Sequence, residues 1–138
     1  MQNTLAIIKP DGVRSGCIGE VISRIENEGI RIIGMRMEQL DRRRAEGFYY
    51  VHRGKPFFDS LINYMTSGPC VLMVLKGNGV IENWRRLMGS TDPQKAGRGT
   101  IRGDMGTNIE QNVVHGSDSP DSALFEVNYF FKGTELVC

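Results

Sequence analysis

Val71-Leu72-Met73-Val74-Leu75 is an unbroken apolar run of five residues, the pattern of a strand buried on both faces of a sheet. Such a strand needs other segments to cover it from two sides, and the neighbouring sequence supplies them. Towards the N-terminus, Leu5-Ala6-Ile7-Ile8 is a second short apolar strand, stopped by the turn residues Pro10-Asp11-Gly12. Ile18, Val21, Ile22 and Ile25 then recur at helical spacing, with Gly29 as a stop. Ile30, Ile32, Met35 and Met37 alternate roughly, with an interruption at Ile33-Gly34, and read as another strand. Asp41 caps a short helix through Tyr49, and Phe57, Phe58, Leu61, Ile62 and Met65 form a further helical stripe.

Towards the C-terminus, Val80, Ile81, Trp84, Leu87 and Met88 give another amphipathic helix. Residues 89–111 are rich in glycine, proline, threonine and charge, and show no period. A loop of that length in a compact domain is functional or mobile. Val113-Val114 pairs as a short last strand carrying His115 at its end. Ser119-Pro120-Asp121 follows as a helix start, with Ser119 as cap, Pro120 at the first helical position and an acid in the first turn. Ala123, Leu124, Val127 and Phe130 supply that helix's buried stripe. Without repeats or a linker, residues 1–138 read as a single domain, and the order of elements suits an α+β ferredoxin-like sandwich.

Composition narrows the function. The chain has 40% apolar and 24% charged residues and a formal net charge of +1, an ordinary globular balance that argues against a dedicated nucleic-acid binder. No stretch approaches a membrane span, and Met1-Gln2-Asn3 lacks the basic start and long apolar segment of a signal peptide. Three widely spaced cysteines, Cys17, Cys70 and Cys138, with no C-x-x-C pair, favour reduced thiols in the cytosol over a disulfide framework or a zinc site. An RNA-binding sheet needs exposed aromatics interleaved with basic residues, whereas Leu5 to Ile8 and Val71 to Leu75 are aliphatic.

The chemistry centres on Asn112-Val113-Val114-His115-Gly116-Ser117-Asp118-Ser119, where a histidine stands beside a glycine and small hydroxylated residues that leave room for a phosphate. The other of the two histidines, His52, lies in a polar stretch and is the sole competitor. Neutral imidazole is a competent nucleophile near pH 7, its reference pKa being about 6.5. Glu126 follows one heptad after Ser119, either as an exposed helix glutamate or turned back to orient the ring. Lys9 ends the first strand immediately before Pro10, Arg85 follows Trp84 on an amphipathic helix, and Arg102 lies in the irregular loop between Ile101 and Gly103. Each is a solvated charge unless the fold gathers them. Phe57 is either core or an exposed platform for a base. Neither G-x-x-x-x-G-K-[ST] nor G-x-G-x-x-G is present, no G-x-S-x-G elbow supports a hydrolase triad, and no cluster has metal-ligand spacing.

Asn112 to Ser119 resembles the active-site signature of the nucleoside diphosphate kinases. The chain is similar to that family also at Thr4 to Val13 (TLAIIKPDGV), Lys55-Pro56-Phe57-Phe58, Ser67-Gly68-Pro69 and Gly99-Thr100-Ile101-Arg102-Gly103-Asp104, in one order over nearly its whole length. The resemblance implies a four-stranded antiparallel sheet covered by helices. It also implies a ping-pong kinase that moves the γ-phosphoryl group of ATP or another nucleoside triphosphate to a nucleoside diphosphate, maintaining NTP and dNTP pools. His115 matches the residue that is phosphorylated, Glu126 the glutamate that hydrogen-bonds it, and Ser117 stands beside them. Lys9, Arg85, Arg102 and Thr91 match phosphate contacts, and Asn112 a ribose contact. Phe57, Leu61 and Ile109 match the surroundings of the base, whose stacking predicts broad base acceptance. Tyr49 matches a tyrosine near the histidine. Mg²⁺ is expected to arrive on the nucleotide phosphates rather than on protein ligands. The partners implied are nucleoside di- and triphosphates and further copies of the chain, as a cytoplasmic tetramer or hexamer, with no nucleic acid or membrane required. The departures are few. Phe48 stands where a histidine is common, Lys55 where arginine is frequent, and Ser90 where glutamate or alanine is often found.

Overall fold

In the computed structural model, which describes residues 1–137, the apolar run lies within a strand, Cys70–Gly77 (β3), flanked on one side by Gln2–Ile8 (β1) and on the other by Arg31–Glu38 (β2). A three-residue strand, Val114–Gly116 (β4), pairs with the outer side of β1, giving the order β2-β3-β1-β4 with every pair antiparallel. This is the four-stranded sheet of a ferredoxin-like α+β fold.

The continuous hydrophobicity of β3 follows from its position. Alternate side chains of the central pair enter two separate cores: Leu5, Ile7, Leu72 and Val74 on one face, Ala6, Ile8, Val71, Met73 and Leu75 on the other. The first core is closed by helices Arg42–Phe48 (α3), Phe58–Met65 (α4) and Pro120–Phe130 (α7). The second is closed by Ile18–Asn27 (α2), Val80–Met88 (α5) and Ile101–Met105 (α6). Helices therefore cover both faces of the central pair, β1 and β3.

Local chemistry sets the starts of two helices that bear on the site. The Asp41 side chain accepts from the Arg44 amide at 2.8 Å and starts α3. Ser119 accepts from the Ser122 amide at 3.1 Å, with Pro120 at the first helical position of α7. The expected interruption of β2 is a register shift between Ile32 and Gly34.

The structure also corrects the sequence reading. Pro10–Arg14 forms a short helix, α1, where only a turn is expected. The long loop contains α6, so Arg102 is helical; the Thr100 side chain caps that turn by accepting from the Gly103 amide at 3.1 Å. Val113 lies outside the last strand, at a φ of 74°, and His115 is the middle residue of β4. Leu124 is 68% exposed, so the buried face of α7 is Ala123, Val127 and Phe130. On the surface of α3, Arg42 pairs with Glu46 at 3.1 Å and Arg44 with Glu38. Cys17 and Cys70 carry free thiols, and burial pushes Cys70 up to about 12; Cys138 lies outside the described residues. No helix among the described residues is long and apolar enough to cross a membrane.

Candidate active site

Immediately before β4, the backbone is strained and heavily held. Val113, a β-branched residue at positive φ, donates its amide to Asp11 Oδ2 at 3.0 Å, and its carbonyl accepts the Lys9 amide at 2.8 Å. The Val114 amide bonds back to the Asn112 carbonyl at 2.8 Å, closing a three-residue turn around Val113. A conformation of this kind costs about 1–3 kcal/mol and persists only where its surroundings over-determine it. The Asp11 carboxylate that provides the clamp is itself hydrogen-bonded by the Tyr64 hydroxyl. The sequence marks Asp11 as a turn residue and gives no local sign of this contact 102 positions away.

The turn hands the chain to His115, which pairs with Ile7 of β1. On the far side of the strand, the His115 carbonyl accepts from Trp84 Nε1 at 3.2 Å. Gly116 lets the indole approach, because a Cβ there would lie 2.6 Å from Trp84 Cδ1. The imidazole is thus carried on a strand fixed at both edges.

Its ring is oriented from α7. His115 Nε2 lies 2.8 Å from Glu126 Oε1, and the Ser117 hydroxyl donates to the same oxygen at 2.8 Å. A carboxylate only accepts, so Nε2 carries the proton and Nδ1 keeps the free lone pair. Glu126 therefore takes the inward of its two possible placements. Ser117 and Glu126 stand behind the ring, and the other ten residues named from the sequence line one cleft of about 580 Å³ in front of it.

That cleft is cationic at its inner end. Lys9 Nζ donates to Asn112 Oδ1 at 2.8 Å and to the Glu110 carbonyl at 3.2 Å. Burial, aided by Arg102, lowers Lys9 to about 8, partly offset by Asp11 and Glu110. Arg102 is buried and donates to the carbonyls of Val114 (2.8 Å), Gly89 (3.0 Å) and Asn112 (3.3 Å); burial and the nearby Arg85 charge bring it down to about 10. Two guanidinium groups and an ammonium crowded in one place suit a polyanion between them. Arg85 and Thr91 reach the cleft from its exposed side. Hydrogen bonding from Ser122, with help from the Arg85 charge, holds the Asp118 carboxyl below its usual range at the rim.

The Asn112 side chain is fully used within the protein: beyond accepting from Lys9, its Nδ2 donates to the Thr91 and Ile109 carbonyls, both at 2.9 Å. Tyr49 sits edge-on to the His115 ring at 6.4 Å. Its hydroxyl is buried and has no hydrogen-bond partner among the described residues, and burial raises its pKa so that it stays protonated. At the outer end, Phe57 is 47% and Ile109 is 62% exposed, so both are walls rather than core, with Leu61 between the Phe57 wall and the interior. His52, the competing histidine, also lines the cleft, stacked on Tyr49 and edge-on to Phe57 at 5.2 Å. Its place came from a 3₁₀ turn, Tyr50–His52, that no sequence period announces. Among the described residues no group of three metal-binding side chains occurs.

A family profile described as "Nucleoside diphosphate kinase" matches residues 2–136 of the chain. The chain is 56% identical over 137 residues to the nucleoside diphosphate kinase of Desulfosudis oleivorans, covering 99% of each, and 54% identical to that of Syntrophotalea carbinolica, covering 99% of this chain and all of the other. Among solved structures it is similar to the Aquifex aeolicus nucleoside diphosphate kinase, with 40% identity, 99% of both chains covered and a TM-score of 0.96. The same score is reached with the Halobacterium salinarum enzyme in complex with CDP, at 41% identity over 99% of this chain and 91% of that one.

Proposed function

Because the chain belongs to the nucleoside diphosphate kinase family and is a phosphotransferase between nucleotides, we propose that His115 carries the phosphoryl group covalently from one nucleotide to the next. The observation that carries this reading is the Glu126 contact at 2.8 Å, in which Glu126 accepts from Nε2–H and so leaves Nδ1 as the nucleophile beside the cationic end of the cleft. The Nδ1 lone pair attacks the γ-phosphorus of a nucleoside triphosphate such as ATP. A nitrogen–phosphorus bond forms, the bridging oxygen–phosphorus bond breaks, and the nucleoside diphosphate leaves with the electron pair. A second nucleoside diphosphate then reverses the step with its own terminal oxygen, keeping the pools of NTP and dNTP in balance.

Other residues take supporting roles. Lys9, Arg85, Arg102 and Thr91 hold the phosphates and offset charge as it shifts to the leaving oxygen, the kind of contribution worth about 3 to 4 kcal/mol per well-placed donor. The Tyr49 hydroxyl, unpartnered among the described residues, donates to the transferring group. Asn112 acts by fixing Lys9 and the Ile109 wall, with the ribose lying against it. The base stacks between Phe57 and Ile109, consistent with the Halobacterium relative having been solved with CDP. Mg²⁺ enters as part of the substrate, on the phosphates; a cleft walled by lysine and arginine at its inner end, with its two carboxylates apart at the rim (Asp118) and the base end (Glu110), fits that better than a resident ion. The chain works as one domain of residues 1–138, in the cytoplasm, as a homo-oligomer.

Incubation with labelled ATP alone is expected to give an acid-labile, base-resistant phosphoprotein, and His115→Ala is expected not to label. Label on Ser117 instead would refute the assignment.

A further inference from the structure

Glu110 has no part in the phosphoryl chemistry, yet its carboxylate stands at the nucleobase end of the same cleft. It directly follows Ile109, one wall of the base slot, and reaches across to α4, where the Ser60 hydroxyl donates to Oε2 at 2.9 Å and to Oε1 at 3.3 Å. Ser60 lies three residues after Phe57 and immediately before Leu61, so the carboxylate bridges the two walls between which a base stacks. Its backbone is held: the carbonyl accepts from Lys9 Nζ at 3.2 Å, and the amide donates to Asn108 Oδ1 at 3.0 Å. A carboxylate offers about four lone-pair sites. Among the described residues, Ser60 is its one hydrogen-bond donor.

We propose that Glu110 reads the nucleobase by accepting N–H donors from its Watson–Crick edge. The inference rests on the nucleotide assignment of the cleft. Guanine presents N1–H and an amino group side by side and can satisfy both oxygens at once. Adenine and cytosine offer an amino group beside a ring acceptor, a weaker match. Thymine and uracil place carbonyls on both sides of a single N–H, and these face the negative charge. Stacking still admits every base, so the carboxylate grades the nucleotides rather than excluding any. Ser60 competes with the base for the same oxygens.

Titration calorimetry with dGDP and dTDP, each with Mg²⁺, compares two ligands that share a sugar and differ in the base. The wild-type protein is expected to bind dGDP about ten-fold more tightly than dTDP, the range for hydrogen bonds to a charged acceptor at a partly exposed site. Glu110→Gln, whose amide can donate to thymine, should bring the ratio to within about two-fold. Ser60→Ala, which frees the carboxylate, should widen it. A pure latch between the walls predicts that both substitutions weaken both ligands by one common factor. That result, or a wild-type ratio near one, overturns the proposal. Failure of the histidine assignment is read separately, in the labelling experiment, because these affinities do not pass through a phosphoenzyme.

Discussion

Lys9 shows how one residue's surroundings set its chemistry. A lysine in water titrates near 10.4, and burial beside Arg102 brings this one down to about 8. The sign of the consequence is direct. Below about pH 8 the ammonium is charged and holds phosphate; above it the charge is lost. Hence kcat/KM, which reports groups of the free enzyme, should fall as pH rises through about 8. Lys9→Arg keeps its charge at these pH values, so its profile should lose that alkaline limb while its plateau drops, since a guanidinium cannot reproduce the contact to Asn112 at 2.8 Å. An unchanged alkaline limb in the arginine variant would assign it to another group. The position of Lys9 at a strand end was legible from the sequence, but its depressed pKa was not, because it depends on Arg102 and on burial among Tyr64, Glu110 and Asn112, residues of distant segments.

Among the elements, β4 and α7 act as a pair: one carries the imidazole and the other its carboxylate. The helix was readable locally, since Ser119, Pro120 and Asp121 each satisfy a rule for a helix start within a few residues. The strand was readable only as an apolar stub, because its exact span is fixed by pairing with β1 and by the turn at Val113. Helix α6 was invisible for a related reason: five residues cannot display a period, and its Thr100 cap sits among glycines and charges that also suit a loop. Leu124 fits the helical stripe of α7 but faces outward, since periodicity names a face without naming what covers it. Gly116 against Trp84 is a close contact between β4 and α5. Gly116→Ala would push a methyl to 2.6 Å from the indole and is expected to destabilise by about 1–3 kcal/mol, read as a lower urea midpoint with altered emission from the single tryptophan. An unchanged midpoint would show that β4 moves freely, contrary to a rigidly presented histidine.

At the scale of the whole molecule, β2 is the exposed edge of the sheet. The amide of Val137 bonds to the Ile33 carbonyl at 2.8 Å and covers that edge only at its bulge. Met35 and Met37, 54% and 55% exposed, flank the remainder. An unprotected edge with apolar neighbours is a template for pairing, so the homo-oligomer proposed above is expected to use it. Met35→Lys with Met37→Lys should lower the sedimentation mass while leaving the far-UV spectrum intact; an unchanged mass would place the contact elsewhere. The residues alone determined the types of the four strands and of the longer helices, the two-faced burial of Val71 to Leu75, the caps of α3 and α7, and the family, because these depend on short-range periodicity, capping chemistry and motifs carried in order along the chain. Only the tertiary structure decided which way Glu126 turned, that Asp11 clamps Val113, and that Lys9, Arg85 and Arg102 share one cleft with His115. Those facts are distances between segments far apart in sequence, and nothing but the packed sheet and its helices brings the segments together.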